Sequence, residues 1–213
     1  MRRPRAGDAL AWQAQSLLLA YPDEQFQERL TLARRVAATQ PKAIGSPLAC
    51  FAEHTGRIPL PELAAAFVAT FDHRKRCCPY LTYYANGDTR KRGIALLRLK
   101  QTYAAAGWRL ADDELPDHLA VVLEFAATEP ALGFRLLTDH RAGLELLRLA
   151  LNDDGSPWAH VLDSVSATLP ALAGDERTAV MRLAAQGPPE EQVGLDPYAS
   201  PVFLPDPVVG GPR

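Results

Sequence analysis

The chain contains 213 residues, of which 47% are hydrophobic and 23% charged, and its formal net charge at pH 7 is −2. This composition is ordinary for a soluble globular protein, the length suits one domain with a single core, and no apolar run approaches the ~18–20 residues that span a bilayer. The isoelectric point near 6.2 disfavours a nucleic-acid partner, because phosphate binding normally requires a strongly basic domain.

The N-terminus and the cysteines indicate a cytoplasmic protein. Arginines precede an apolar stretch, but Trp12, Gln13 and Gln15 interrupt the continuous run that a secretory signal requires. Three cysteines, of which Cys77 and Cys78 are adjacent, do not make an extracellular disulfide framework. We therefore expect cytoplasmic localisation without stable membrane insertion.

Apolar residues recur at helical spacing along most of the chain, and no segment alternates like a half-buried strand. Helices are predicted at about residues 8–21, 24–40, 63–71, 89–106, 116–126, 130–151, 156–169 and 175–185, with a weaker segment at 42–56. Residues 72–87 are expected to be irregular. The fold class is therefore all-α, a single-domain bundle of about eight or nine helices.

Two of these helices carry specific expectations. Asp88 is placed to cap the helix at 89–106, and Gly93 inside it predicts close packing of another backbone. Ile94, Leu97, Ala104 and Trp108 are predicted to form one apolar face of that helix, and Leu96, Leu99 and Tyr103 a neighbouring one. Asp117 is placed in the first turn of the helix at 116–126, where the helix dipole favours an acid.

The last part of the chain has a different composition. Residues 186–213 contain seven prolines and four glycines and bury too little apolar area to offset the entropy of ordering. We expect a helical domain at residues 1–185 and a flexible, Pro/Gly-rich tail at residues 186–213.

Charge and tyrosine are concentrated in the middle of the chain. Residues 71–100 contain eight Lys or Arg and two acids, whereas residues 112–129 contain six acids and no Lys or Arg. A local field of roughly +6 followed by −6 therefore exists where the net charge is nearly zero. Tyr80, Tyr83 and Tyr84 lie within the basic segment, and tyrosine combines apolar contact area with a polar tip, as binding surfaces require.

The sequence offers no convincing catalytic or metal site. Cys77, Cys78, His73 and His118 lack paired C-x₂-C spacing, so incidental thiols are favoured over structural zinc or a Cys–His nucleophile. Phosphate-binding glycine motifs are missing, although the turn at residues 87–90 could hold an anion at a helix start. The clustered acids at 112–117 are interpreted as helix caps, and the basic residues either pair with them or bind a peptide. We expect no enzyme activity, no metal and no bound cofactor.

Three blocks in this region resemble a known family. They are YLTYY at residues 80–84, GDTRKRG at 87–93 and ELPDHL at 114–119. In order and spacing they are similar to the nitrate reductase assembly chaperones, the NarJ or delta-subunit family within the TorD-like group. Pro79 and Ala120 depart from the pattern, where a large apolar residue and a proline would be expected.

The resemblance implies a TorD-like helical fold and a system-specific cytoplasmic chaperone. Such a protein would bind the N-terminal segment of the catalytic (alpha) subunit of nitrate reductase, assist insertion of its molybdenum cofactor and delay its membrane docking. The expected client-binding residues are those that the three blocks contribute: Tyr80, Tyr83, Tyr84, Asp88, Arg90, Arg92, Glu114, Asp117 and His118. Two alternatives remain, a nucleotide-switched regulator or enzyme that uses the turn at residues 88–92, and a helical scaffold without a client.

Overall fold

The computed structural model describes residues 3–111 and 114–186, and most of these residues are helical. In chain order the described residues form eleven α-helices: α1 (Asp8–Leu19), α2 (Phe26–Thr39), α3 (Lys42–Thr55), α4 (Leu60–Phe71), α5 (Leu81–Asn86), α6 (Arg90–Ala105), α7 (Leu119–Thr128), α8 (Pro130–Asp139), α9 (Arg141–Asp153), α10 (Trp158–Thr168) and α11 (Gly174–Gln186). A short 3-10 turn, Lys75–Cys77, lies between α4 and α5. The all-α class is confirmed.

The number of helices is higher than the eight or nine predicted, for two local reasons. The long helix expected at residues 130–151 is two helices, α8 and α9, because the backbone leaves helical geometry at His140 (φ −104°, ψ 17°). The stretch expected to be irregular contains α5, which ends at Gly87 with φ 58°. Six residues are too few for hydrophobic periodicity to reveal a helix.

Helix α1 is at the centre of the core, where it packs against α2, α7 and α10. Trp12 and Trp158 are fully buried. Each satisfies its indole N–H internally: Trp12 donates to the Thr168 hydroxyl at 2.9 Å, and Trp158 donates to the Leu18 carbonyl at 3.2 Å. These two bonds allow large aromatic rings to be buried without an unpaired donor.

A glycine contact sets the spacing between α7 and α8. A Cβ atom added at Gly133 would lie 2.1 Å from the Cα atom of Ala126, so only glycine permits this approach. Gly93 in α6 is the opposite case, because an added Cβ would meet no atom of the described residues within 4 Å. The predicted close packing at Gly93 is therefore wrong, since that side of α6 faces open space.

Helix α6 lies at the edge of the bundle. Of its sixteen residues only Leu99 and Tyr103 are buried. Tyr103 packs against Phe125 of α7, with ring centroids 4.5 Å apart. Ile94 and Leu97 are each 56% exposed, so the apolar face predicted from their spacing points outward rather than into the core.

Two further expectations concern the C-terminal tail and membrane-spanning helices. The Pro/Gly-rich tail predicted at residues 186–213 lies, from residue 187 onward, outside the described residues. Among the helices that the structure describes, none is long and apolar enough to cross a bilayer.

Candidate functional site

A backbone contact joins the first and third sequence blocks. Tyr80 and His118 form an isolated antiparallel bridge. The Leu81 N–H donates to the Asp117 carbonyl at 2.9 Å, and the Leu119 N–H donates to the Pro79 carbonyl at 2.9 Å. The start of α5 and the start of α7 are therefore held side by side, although they are more than thirty residues apart in the chain.

Asp117 is buried at this junction and is not a rim residue. Its side chain is 0% exposed, and its carboxylate accepts hydrogen bonds from the backbone N–H and the hydroxyl of Thr82. Helix α7 begins at Leu119 with His118 as its N-cap, so Asp117 does not occupy the first helical turn that was predicted. Direct contact between Asp117 and a client does not fit this burial, and the residue instead holds the two blocks together.

Arg92 connects the second block to the same junction. Its guanidinium lies 2.9 Å from the Asp88 carboxylate, 3.5 Å from the Asp117 carboxylate and 5.4 Å from the centre of the Tyr80 ring. Asp88 does not cap α6 as predicted, because Thr89 is the N-cap residue and no side-chain capping bond forms there. Asp88 uses its carboxylate for the ion pair with Arg92, one helical turn further on.

The three tyrosines occupy different environments. Tyr84 is 4% exposed, and its hydroxyl lies 3.0 and 2.9 Å from the carbonyl oxygens of Arg76 and Cys78. Desolvation by burial raises the pKa of Tyr84 far above its usual range. Tyr80 and Tyr83 are half-buried. Tyr84 is therefore a core residue, which corrects its expected role in direct binding, whereas Tyr80 and Tyr83 present ring surface to solvent.

The His118 side chain packs against the Tyr80 ring. Its ring lies edge-on to the Tyr80 ring with centroids 5.3 Å apart, and its Nδ1 accepts the Ala120 N–H at 3.3 Å. Burial lowers the pKa of His118, with Asp117 opposing that shift. A neutral imidazole is consistent with Nδ1 acting as an acceptor at the start of α7.

The remaining predicted residues, Arg90 and Glu114, are exposed. Arg90 lies in the middle of the second block and Glu114 at the start of the third, and the bridge and Arg92 bring these blocks together. We define the tyrosine surface as Tyr80, Tyr83, Asp88, Arg90 and Glu114; Arg92 and His118 are also half-buried, but their side chains take part in the junction beneath it.

Thr82 is the functional residue that sequence reasoning missed. It is fully buried and donates two hydrogen bonds to the Asp117 carboxylate, one from its backbone N–H and one from its hydroxyl. Nothing in its spacing indicates this role, because its partner is 35 residues away. Its place inside the YLTYY block is the one available signal.

The basic segment before α5 has internal partners that were not foreseen. Arg74 lies 2.7 Å from the Asp154 carboxylate and Arg76 lies 3.5 Å from that of Asp153, at the end of α9. Internal pairing had been considered with residues 112–117; Asp117 does pair with Arg92, and positions 112 and 113 lie outside the described residues.

The adjacent Cys77 and Cys78 are buried and half-buried thiols. Cys77 is buried and lies 3.4 Å from the Asp154 carboxylate, and desolvation together with that contact raises its pKa to about 11. Burial also raises the pKa of Cys78. A raised pKa suppresses the reactive thiolate. Across residues 3–111 and 114–186 no group of three or more His, Cys, Asp or Glu side chains could hold a metal ion; the absence of a structural metal stays a prediction.

Comparison with known proteins identifies the family. The model of the protein family described as the nitrate reductase delta subunit matches residues 38–163 of this chain. The chain is 37% identical over 168 residues to the nitrate reductase-like protein NarX of Mycobacterium tuberculosis (strain ATCC 25618 / H37Rv), a match that covers 78% of this chain and 25% of that protein. It is 33% identical over 165 residues to a nitrate reductase molybdenum cofactor assembly chaperone, NarJ, of Bacillus subtilis (strain 168), covering 75% of this chain and 88% of that protein.

A solved structure shares the fold. The crystal structure of a redox enzyme maturation protein from Archaeoglobus fulgidus superposes with a TM-score of 0.57 at 23% identity, covering 78% of this chain and 95% of that one. The match with NarX spans only about a quarter of that protein's length.

The helical fold is that of this maturation protein, and the matched relatives include a nitrate reductase molybdenum cofactor assembly chaperone. The chain itself belongs to the nitrate reductase delta subunit family. The resemblance predicted from the three blocks is confirmed.

Proposed function

We propose that this protein is a dedicated cytoplasmic chaperone that binds the N-terminal segment of the catalytic (alpha) subunit of a nitrate reductase. It keeps that subunit open for insertion of the molybdenum cofactor and delays its docking at the membrane until assembly is complete. The cofactor belongs to the client, and the chaperone holds none of its own.

The observation that carries the proposal is the set of buried contacts among Thr82, Arg92 and Asp117 beneath the tyrosine surface, which we call the clasp. Asp117, Thr82 and Arg92 join three separate segments of chain. The Tyr80 ring lies 5.4 Å from the Arg92 guanidinium and the Tyr83 ring packs against the buried Tyr84 ring, so both rings would be held in place before any client arrives. A preorganised aromatic surface loses little conformational entropy on binding. This is the arrangement that suits capture of an apolar peptide face.

The charges around the tyrosines would set the orientation of the client. Asp88, Arg90 and Glu114 are exposed and carry both signs. Complementary charges at a rim act mainly on association rate and register, and less on affinity. An amphipathic segment would therefore place its apolar face on the rings and its polar face toward these residues.

Reconstitution tests the function. Catalytic subunit purified from cells that lack their own assembly chaperone would be incubated with a source of molybdenum cofactor, with or without this protein. The proposal predicts that molybdenum content and nitrate reduction by the recovered subunit rise only when the chaperone is present. Equal molybdenum content with and without the chaperone would contradict it.

A matched variant separates folding from function in the same assay. The double variant Tyr80→Ala/Tyr83→Ala should reduce the gain in molybdenum content, whereas Tyr21→Ala, which removes a 52% exposed tyrosine elsewhere on the protein, should not. If both variants supported full loading, a surface other than the tyrosine surface would have to contact the client.

A further inference from the structure

The outward side of α6 is an apolar stripe that the described fold does not cover. At 3.6 residues per turn, Ile94, Leu97 and Ala104 lie on one side of the helix, opposite the buried Leu99 and Tyr103. Ile94 and Leu97 are each 56% exposed, and the neighbouring Gly93 has nothing within 4 Å of where its Cβ would be. Two large aliphatic side chains one turn apart are thus presented to solvent on an open surface.

The borders of this stripe are strongly basic. Helix α6 contains five Lys or Arg and no acid. Within the described residues, Arg92 forms ion pairs, whereas Arg90, Lys91, Arg98 and Lys100 form none. By helical geometry Lys91 and Arg98 flank the stripe on one side and Lys100 flanks it on the other. The face therefore fits an acidic segment that carries apolar side chains.

The chain itself contains such a segment. Residues 187–213 include one basic residue, Arg213, and four acids: Glu190, Glu191, Asp196 and Asp206. Three of their apolar residues are consecutive: Val202, Phe203 and Leu204. Other occupants fit less well. A second copy of α6 would be repelled by like charge, and a membrane-binding helix normally has a broader apolar face with aromatic residues.

The covalent connection makes even weak binding effective. The segment begins directly after α11, which packs against α9, and α9 in turn packs against α5 beside α6. Twenty-seven residues span at most ~90 Å when extended, several times the ~30 Å diameter of a small domain. Covalent attachment through a link of this length gives an effective concentration on the order of millimolar. A docking contact of only millimolar affinity would therefore be occupied about half of the time.

We propose that residues 187–213 dock on the outward face of α6, with the Val202–Leu204 cluster against Ile94 and Leu97 and the tail acids against the flanking Lys and Arg side chains. The contact is intramolecular and does not depend on the proposed client. It would cover the largest exposed aliphatic patch on α6 in the isolated protein.

Photocrosslinking in the full chain tests this contact. A benzoylphenylalanine residue replaces Leu97, or Leu32 of α2 as the matched control, since Leu32 is also a large exposed aliphatic at 46%. After irradiation, the protein is digested and the crosslinked peptides are identified by mass spectrometry. The proposal predicts a monomeric product in which position 97 is joined to a peptide from residues 187–213, with a yield at least five-fold above that from position 32.

Charge reversal makes the test specific. Glu190→Lys/Glu191→Lys should lower the yield from position 97 at least five-fold, and so should Arg98→Glu/Lys100→Glu. Combining both pairs in one chain should restore most of the yield, because opposite charges face each other again. Raising the salt concentration from 50 to 500 mM should weaken the parental crosslink, since exposed charges are screened.

Several results would overturn the proposal. Equal yields from positions 97 and 32 would mean that the segment visits the whole surface, and a dimeric product would assign the face to a second copy. Capture of the parent by phosphatidylserine vesicles without any tail crosslink would assign the face to a membrane. Failure of the combined reversal to recover the yield would exclude the proposed charge pairing.

Discussion

The Arg92 guanidinium lies 3.5 Å from the carboxylate of Asp117, which is completely buried. The hydroxyl of Tyr103, also in α6, donates a hydrogen bond to the carbonyl of the preceding residue, Pro116, at 2.7 Å. Helix α6 therefore contacts the loop before α7 at two points. The residues that most resemble a binding motif therefore form an internal clasp. The charge of Asp117 can be buried there because it is paired with Arg92 and hydrogen-bonded to Thr82.

Removing the Asp117 carboxylate should strongly destabilise the protein. Asp117→Ala leaves Arg92 and the Thr82 hydroxyl without their buried partner, and breaking such a pair costs about 3–5 kcal/mol. Asp88→Ala removes the other acid bound to Arg92, but Asp88 is 77% exposed, so its loss should cost less than about 1 kcal/mol. Urea unfolding of both variants measures the difference, and equal small losses would contradict the clasp.

Stability should fall as the pH drops below about 6.5, and His118 should contribute to that fall. Burial lowers the pKa of His118 in the folded protein, so between its folded pKa and the unfolded value of about 6.5 the unfolded state binds more protons. Protonation would also remove the acceptor that His118 offers to the Ala120 N–H. The stabilising effect is thus present above pH 6.5 and is lost as the pH falls through the folded pKa.

The measurement compares urea midpoints at pH 7.5 and 5.0 for the parent and for His118→Gln. The parent should lose more stability between the two values than the variant does. An identical pH dependence in both proteins would show that His118 does not carry the effect.

Two glycines in helices should respond oppositely to the same substitution. Gly133→Ala forces a methyl group to 2.1 Å from the Ala126 Cα atom, and overpacking of this kind costs about 1–3 kcal/mol or more. Gly93→Ala adds a methyl group in open space on an exposed helix and should stabilise by ~0.5–1 kcal/mol through helix propensity. Thermal unfolding of the two variants checks the signs. A stabilised Gly133→Ala protein would mean that α7 and α8 are not packed as described.

The sequence predicts the helices more accurately than their faces. Apolar spacing places most helices within a few residues, because burial of one side is what the 3.6-residue period reports. The same spacing gives α6 two apolar faces, of which the one with Leu99 and Tyr103 is buried and the one with Ile94 and Leu97 is exposed. Periodicity shows that a helix has an apolar side but not whether another element covers it, and α6 lies at the edge of the bundle.

The candidate site shows the same limit. The three blocks identify the right region, since the bridge between Tyr80 and His118 joins two of them. The sequence could not show that Tyr84 is buried whereas Tyr83, one residue earlier, is half-buried. That distinction depends on α9, whose Gly143 approaches the Tyr84 side chain closely.

Deleting residues 187–213 should leave the thermal midpoint nearly unchanged. The described residues already enclose Trp12 and Trp158 completely, and docking at millimolar affinity adds less than about 1 kcal/mol. Calorimetry of the shortened chain tests this. A drop of more than ~5 °C, which corresponds to more than about 1 kcal/mol for a domain of this size, would show that the segment contributes to the core.

The most direct test of the proposed function is calorimetric titration with a peptide from the N-terminus of the nitrate reductase catalytic subunit. The parent should bind, and Tyr83→Ala should weaken binding by ~1–3 kcal/mol if the ring is a central anchor. Tyr21→Ala should bind like the parent, and a thermal melt of each variant controls for folding. Absence of parental binding, or unchanged affinity in a folded Tyr80→Ala/Tyr83→Ala variant, would contradict the assignment of client binding to the tyrosine surface.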